Sequence, residues 1–247
     1  LAQLQRLVIA PAQKQDRQIA LTPPQQHYLQ RVLRLARGDR FVAMDGRGQC
    51  WLAQLGEDRA DILEPLLVPT EVPLQVTLIV ALPKGSGFDE VVRCCTELGV
   101  ATLMPVISDR TLLHPSPRKL ERWRRIAQEA AEQAEREIVP EIIEPTDFSA
   151  ALKAANETNC HGYLAVARQE APHLLTCLSP LPDSAIAIAT GPEGGWTPAE
   201  IEAAIAVGFT PISLGRRVLR AVTAPITALS ITAAAIESHV RSFTPTN

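Results

Sequence analysis

The chain has 247 residues, of which 46% are hydrophobic and 21% charged, with a net charge of −3. That is enough chain to bury a substantial core in one large or two modest domains, and too apolar a composition for disorder. No apolar run approaches the roughly 18 residues of a membrane span, and the N-terminus lacks the basic-then-apolar layout of a secretory signal, so a cytoplasmic protein without a membrane partner is expected.

Up to Leu67 the sequence reads as short strands and turns: Arg6 to Ile9, Arg40 to Met44 followed by an Asp45-Gly46 turn, and Cys50 to Leu55. Pro24 to Leu35 is helical in pattern, with Thr22 or Pro23 at its start and Gly38 beyond its end. Short strands with one helix predict a small β-barrel domain over residues 1–69. Pro65, Pro69 and Pro73 then punctuate a linker.

From Leu74 strands alternate with helices, which predicts a second domain over 74–243 built on a mainly parallel sheet. Leu74 to Leu82 reads as a strand, Phe88 to Leu98 as a helix closed by Gly99, and Thr102 to Ile107 as a strand. Ser116-Pro117 opens a long helix whose Leu120, Trp123, Ile126, Ala127, Ala130 and Ala134 recur at helical spacing. Tyr163 to Ala167, Ile186 to Ala189 and Phe209 to Leu214 supply further strands, and Ala224 to about Val240 a final helix capped by Thr223. The five cysteines, Cys50, Cys94, Cys95, Cys160 and Cys177, are odd in number and form no CxxC pair. This argues against a disulfide frame and a zinc site, and no metal is expected.

The most informative stretch runs from Ile186 to Glu200. A buried strand meets Gly191-Pro192-Glu193-Gly194-Gly195, and Thr197, Pro198 and Glu200 then take the N-cap, first and third positions of a helix ending near Gly208. Three glycines at a strand's carboxyl end let a ligand reach the main chain. The segments 190–196, 214–217 and 220–225 are expected to meet at neighbouring strand ends and outline a crevice.

Charge is unevenly distributed. The first fifty residues carry eight basic side chains, among them Arg6, Arg31 and Arg34, against three acidic ones. Arg118, Lys119, Arg122, Arg124 and Arg125 form a second cluster with only Glu121 among them. On a mildly acidic protein such clustering points to a directed polyanion contact.

Gly191-Pro192-Glu193-Gly194-Gly195, then Ser213-Leu214-Gly215, Val218-Leu219-Arg220 and Thr223-Ala224, in that order and spacing, resemble the SPOUT-class RNA methyltransferases, and more narrowly the ribosomal RNA small subunit methyltransferase E family. Leu82-Pro83-Lys84-Gly85, Thr96 to Val100, Arg122-Trp123, Val139-Pro140 and, near the N-terminus, His27-Tyr28-Leu29 with Val32-Leu33-Arg34 extend the likeness over nearly the whole chain.

The resemblance implies an N-terminal PUA-like β-barrel that handles RNA and a C-terminal α/β-knot domain, its last segment threading a trefoil that holds S-adenosylmethionine. It implies a homodimer, with small-subunit (16S) ribosomal RNA or an assembled 30S subunit as partner, and N3-methyluridine as product. Carried over residue by residue, Thr190, Gly191, Pro192, Glu193, Gly194, Gly195, Leu214, Gly215, Leu219, Arg220, Thr223 and Ala224 bind the cofactor. Arg6, His27, Arg31, Arg34, Arg118, Lys119 and Arg122 contact RNA. Arg220 and Arg136 are candidates for stabilising charge on the uracil oxygens. The family commonly reads Leu-Arg-Thr-Glu-Thr-Ala where this chain has Leu219-Arg220-Ala221-Val222-Thr223-Ala224, so Val222 replaces an acidic residue. Two other readings stay open, an RNA-binding protein without transfer activity and a ribose 2′-O-methyltransferase. A nicotinamide oxidoreductase is weakest, because the glycines do not form GxGxxG.

Overall fold

The computed structural model describes residues 4–112 and 115–241. Residues 1–3, 113–114 and 242–247, which include the outer ends of both expected domain ranges, lie outside the described residues. The chain divides into two compact units, one formed by Leu1–Glu71 with Gln128–Val139 and the other by Val72–Ala127 with Pro140–Asn247.

The first unit is a six-stranded sheet. Its strands are β1 (Arg6–Val8), β2 (Lys14–Gln15), β3 (Gln18–Ala20), β4 (Arg40–Met44), β5 (Cys50–Leu55) and β6 (Arg59–Leu66), in the order β1-β4-β5-β6-β3-β2. β1 joins β4 in parallel and the other pairs are antiparallel, with a register shift at Leu52/Ala53 where β5 meets β6. Among the described residues β1 and β2 are not paired with each other, so the sheet is a half-barrel. Helix α1 (Pro23–His27) starts with the Thr22–Gln25 capping box and continues as a π turn over Tyr28–Val32. It stops short of the expected Leu35 because Arg34 takes a left-handed φ of 58°. Leu29, Phe41, Trp51 and Ile19 close the core of the unit.

Residues 128–139 belong to this unit through polar contacts rather than apolar pattern. Glu71 receives the Arg136 guanidinium (Nη2 to Oε2 2.7 Å), and its Oε1 also accepts the backbone N–H groups of Glu137 and Ile138 at 2.9 and 3.0 Å. Glu132 accepts from the Val8 N–H at 2.8 Å, and burial pushes its carboxyl above the usual range. The same carboxylate, with Glu129, adds to the burial that raises the Tyr28 phenol.

The second unit is a parallel sheet flanked by helices. In chain order it contains β7 (Val76–Ala81), α2 (Gly87–Glu97), β8 (Thr102–Ile107), α3 (Pro117–Gln133, whose last turn groups with the first unit), β9 (Glu141–Ile142), β10 (Thr146–Asp147), α4 (Phe148–Glu157), β11 (His161–Ala165), α5 (Leu174–Cys177), β12 (Ile186–Thr190), α6 (Pro198–Ala206), β13 (Thr210–Ile212) and α7 (Thr223–Arg241). The strand order is β10-β8-β7-β12-β11-β13, with β9 also on β8, and every pairing is parallel. β12 is buried at all five positions and lies between β7 and β11, which accounts for its unbroken apolar sequence. Cys95 on α2 faces the core and Cys94 is half-buried; burial raises both thiols, so neither is poised as a thiolate. Thr223 is the first helical residue of α7 rather than its cap; the Arg220 carbonyl accepts the N–H groups of Thr223 and Ala224 instead.

Replacing Glu71 with Ala strips a guanidinium that is only 4% exposed of its carboxylate. The expected loss is about 3 kcal/mol of stability, read by urea unfolding, with Glu71→Gln intermediate.

Candidate cofactor crevice and basic surfaces

The carboxyl ends of β8, β11, β12 and β13 surround a crevice of about 920 Å³. Its walls come from the loop after β12 (Gly191 to Trp196), the loop after β13 (Ser213 to Leu219), the segment after β11 (Ala165 to Ala171), His173, and Ala221 and Ala224. Nine of the twelve residues expected to bind cofactor line it: Gly191, Pro192, Glu193, Gly194, Gly195, Leu214, Gly215, Leu219 and Ala224. Thr190, Arg220 and Thr223 do not; Thr190 is the buried last residue of β12, and Arg220 and Thr223 are exposed.

Each loop is held by identifiable contacts. Thr197 and Glu200 form the expected capping box on α6, and Glu200, 7% exposed, accepts the N–H of Thr197 at 2.7 Å and that of Asp109 at 2.9 Å. One carboxylate thereby ties the start of α6 to the loop after β8. Glu193 Oε1 accepts the Lys84 N–H at 3.0 Å, which joins the glycine loop to the loop after β7. Arg110 donates to the Gly194 carbonyl at 2.6 Å. Trp196 stacks on Phe148 with centroids 4.2 Å apart and donates its indole N–H to the Ala165 carbonyl at 3.2 Å. It is therefore a buried packing residue on the crevice wall, not a platform for an incoming base.

Two glycines matter for different reasons. A Cβ on Gly191 would lie 3.2 Å from the Trp196 ring, a tight contact that would press on the indole closing against the strand end. Gly195 has φ +69° and nothing within 4 Å of where its Cβ would stand, so bare main chain faces open space. A crevice of this volume, walled by apolar side chains and glycine backbone, fits a nucleoside-sized ligand.

The arginine expectations are partly overturned. Arg136 is buried against Glu71 in the first unit and does not line the crevice, so its charge serves packing. Arg6 is likewise withdrawn from any polyanion, its side chain 9% exposed and bound to Glu135 at 2.6 Å. His27, Arg31 and Arg34 are exposed on α1 and the turns that follow it. In the second unit Arg118 is exposed on the first turn of α3, Lys119 gives its ammonium to the Gly85 carbonyl at 3.0 Å, and Arg122 pairs with Asp89 at 2.8 Å. Val222, in the place of the family's acidic residue, packs against α2; its Cγ2 stands 2.7 Å from where a Gly87 Cβ would be.

Arg110, His173 and the segment 165–171 were not anticipated from sequence. The available signal was positional, since they follow β8 and β11 at the same edge of the sheet as the glycine loop. Among the described residues no group of three or more His, Cys, Asp or Glu is arranged to hold a metal, and no helix is long and apolar enough to cross a membrane.

Residues 70–233 match an RNA methyltransferase domain and residues 21–64 an RNA methyltransferase PUA domain. A ribosomal RNA small subunit methyltransferase E from Synechocystis is 50% identical over 94% of this chain and 78% of its own length. That from Bacillus subtilis is 31% identical over 85% and 88%. The chain belongs to the ribosomal RNA small subunit methyltransferase E family. Among solved members, the Neisseria gonorrhoeae protein bound to S-adenosylmethionine superposes with a TM-score of 0.81 at 28% identity, covering 98% of this chain and all of that one. A methyltransferase from Legionella pneumophila, also solved with S-adenosylmethionine, gives 0.82 at 28% identity over 95% and 98%. In this member of the methyltransferase E family the crevice is walled by the same glycine loops through which the sequence resembles the family.

Removing the carboxylate that ties α6 to the loop after β8 tests the clamp. Glu200→Ala is expected to cost about 2 kcal/mol in urea unfolding, and Glu200→Gln, which keeps one acceptor oxygen, to cost less.

Proposed function

We propose that the protein is an S-adenosylmethionine-dependent methyltransferase that forms N3-methyluridine in small-subunit ribosomal RNA. The observation that carries this reading is the crevice of bare glycine backbone at the carboxyl ends of β11, β12 and β13, in a chain of the methyltransferase E family. Main-chain groups of residues 191–195 and of Leu214, Gly215 and Leu219 hold the adenosine, with the side chains of Leu214, Leu219 and Ala224 against its apolar faces. The carbonyl of Thr190 leads into that loop, and Thr223 sets the start of α7 beside it. When bound, the cofactor supplies an electrophilic methyl group on a sulfonium, a good leaving group that calls for no metal.

Uridine N3 bears a proton between two carbonyls, so that proton must leave before the ring nitrogen can attack. Arg220 is exposed, and its chain neighbours Leu219 and Ala221 line the crevice, which suits its guanidinium to the negative charge that spreads over the uracil oxygens. Val222 offers no carboxylate to take the proton. In this reading solvent receives it, although Glu170, His173 and Glu193 also line the crevice, and the arginine's charge lowers the cost of the anion. His27, Arg31 and Arg34 in the PUA unit and Arg118, Lys119 and Arg122 on α3 supply phosphate contacts that position the RNA without reading its sequence. The working form is a cytoplasmic homodimer, acting on ribosomal RNA or on the assembled 30S subunit.

Calorimetric titration with S-adenosylmethionine is expected to show saturable binding that Gly195→Val abolishes, because a branched side chain is strained at φ +69° and projects into the crevice. Nucleoside analysis of treated small-subunit RNA then distinguishes N3-methyluridine from a 2′-O-methyl product. With no carboxylate at position 222, the single-turnover rate is expected to rise about tenfold per pH unit below the imide's ionisation, and Arg220→Gln to slow it by about 10²-fold. A pH-independent rate would require a general base in the protein.

A further inference from the structure

The crevice rim carries more positive charge than the cofactor can use. Four arginines, Arg110, Arg168, Arg216 and Arg217, line it against two acids, Glu170 and Glu193, in a chain whose net charge is −3. Arg110 is committed to the Gly194 carbonyl, and Glu193 to the Lys84 N–H. The other three arginines are exposed, and among the described residues their side chains make no hydrogen bond or ion pair. Arg217 folds back over the second glycine loop, with Nη2 3.8 Å from where a Gly215 Cβ would stand. Arg168 is held at φ 60°, a left-handed conformation that Gly or Asn would take more readily.

A surplus of unpartnered guanidinium groups around a crevice attracts anions and repels cations. S-adenosylmethionine carries a sulfonium and an ammonium against a single carboxylate, so the surplus does not serve its net charge. The phosphates on either side of a nucleotide whose base has been turned out of its stack fit it, because each offers acceptors for an arginine fork. We infer that Arg168, Arg216 and Arg217 form a phosphate clamp at the mouth of the crevice, gripping the RNA backbone that flanks the target nucleotide. The clamp lies in the catalytic unit and is separate from the basic residues of the PUA unit and of α3. It rests on the methyltransferase reading only for the identity of the polyanion.

Arg168→Gln, Arg216→Gln and the double variant test this, with wild type as reference. The probes are a transcript of small-subunit ribosomal RNA and S-adenosylmethionine, titrated separately. Each substitution is expected to weaken RNA binding about 3- to 10-fold at moderate salt, and to reduce the slope of log K against log salt by about 0.7–0.9 per arginine. KM for RNA rises while kcat, S-adenosylmethionine affinity and the unfolding midpoint stay at the wild-type values. The clamp is refuted if RNA affinity and salt slope are unchanged in the double variant. It is equally refuted if S-adenosylmethionine affinity falls in step with charge, which would assign these arginines to the cofactor's carboxylate. Failure of wild type to bind S-adenosylmethionine would instead sink the methyltransferase reading, and the RNA titrations would still decide whether the clamp exists.

Discussion

The catalytic unit depends on β12 pairing on both edges, with β11, the strand before it in the chain, and with β7, much earlier in the chain. Ile186 to Thr190 bonds to Val76 to Val80 on one side, and Ile186 to Ala189 to His161 to Leu164 on the other. A strand with both edges used and all five side chains buried cannot slip in register without exposing apolar surface or leaving polar backbone unpaired. Its carboxyl end is thereby set level with those of β7 and β11. Gly191 begins where that constraint ends, and the site is assembled from whatever loops emerge at the same height.

Those loops are kept open by charged groups rather than by apolar packing. Glu200 from the first turn of α6 and Glu193 from the glycine loop reach different strand ends, and Arg110 braces the glycine loop through its carbonyls. Such contacts leave the glycine main chain uncovered, which a collapse of apolar side chains would not. Trp196 is the exception: its ring fills the space behind Gly191, stacked on Phe148, and so separates the crevice from the core. In the PUA unit Glu71 plays a comparable part, drawing residues 136–138 onto the half-barrel with one side chain.

Much of this was legible beforehand where local chemistry is sufficient. The Thr197–Glu200 box, the apolar run of β12 and the helical spacing of Leu120, Trp123 and Ala127 each carry their own reason to be helix or strand. β6 was not foreseen, because Asp61, Glu64 and Pro65 interrupt its pattern and its identity comes from pairing with β5 and β3. Helix α4 was missed although Phe148, Ala151, Leu152 and Ala155 recur at helical spacing and Asp147 stands at its N-cap, with Asn159 left-handed just beyond its end. The charges misled more than the hydrophobics did. Arg6 and Arg136 look in sequence like the exposed arginines around them, and only their partners Glu135 and Glu71, 129 and 65 residues away, show that they are structural.

By itself the sequence determined the two kinds of region, the capped helix after the glycine loop, and membership of a family through motifs spread along both. These follow from short-range rules of turn, cap and periodicity, and from motif order. Tertiary structure alone decided which strand ends stand together, that Arg110, His173 and residues 165–171 complete the crevice, and which arginines remain available to a ligand. The physical reason is that strand order and ion pairing are settled by contacts between residues far apart in the chain, and no local pattern records the partner.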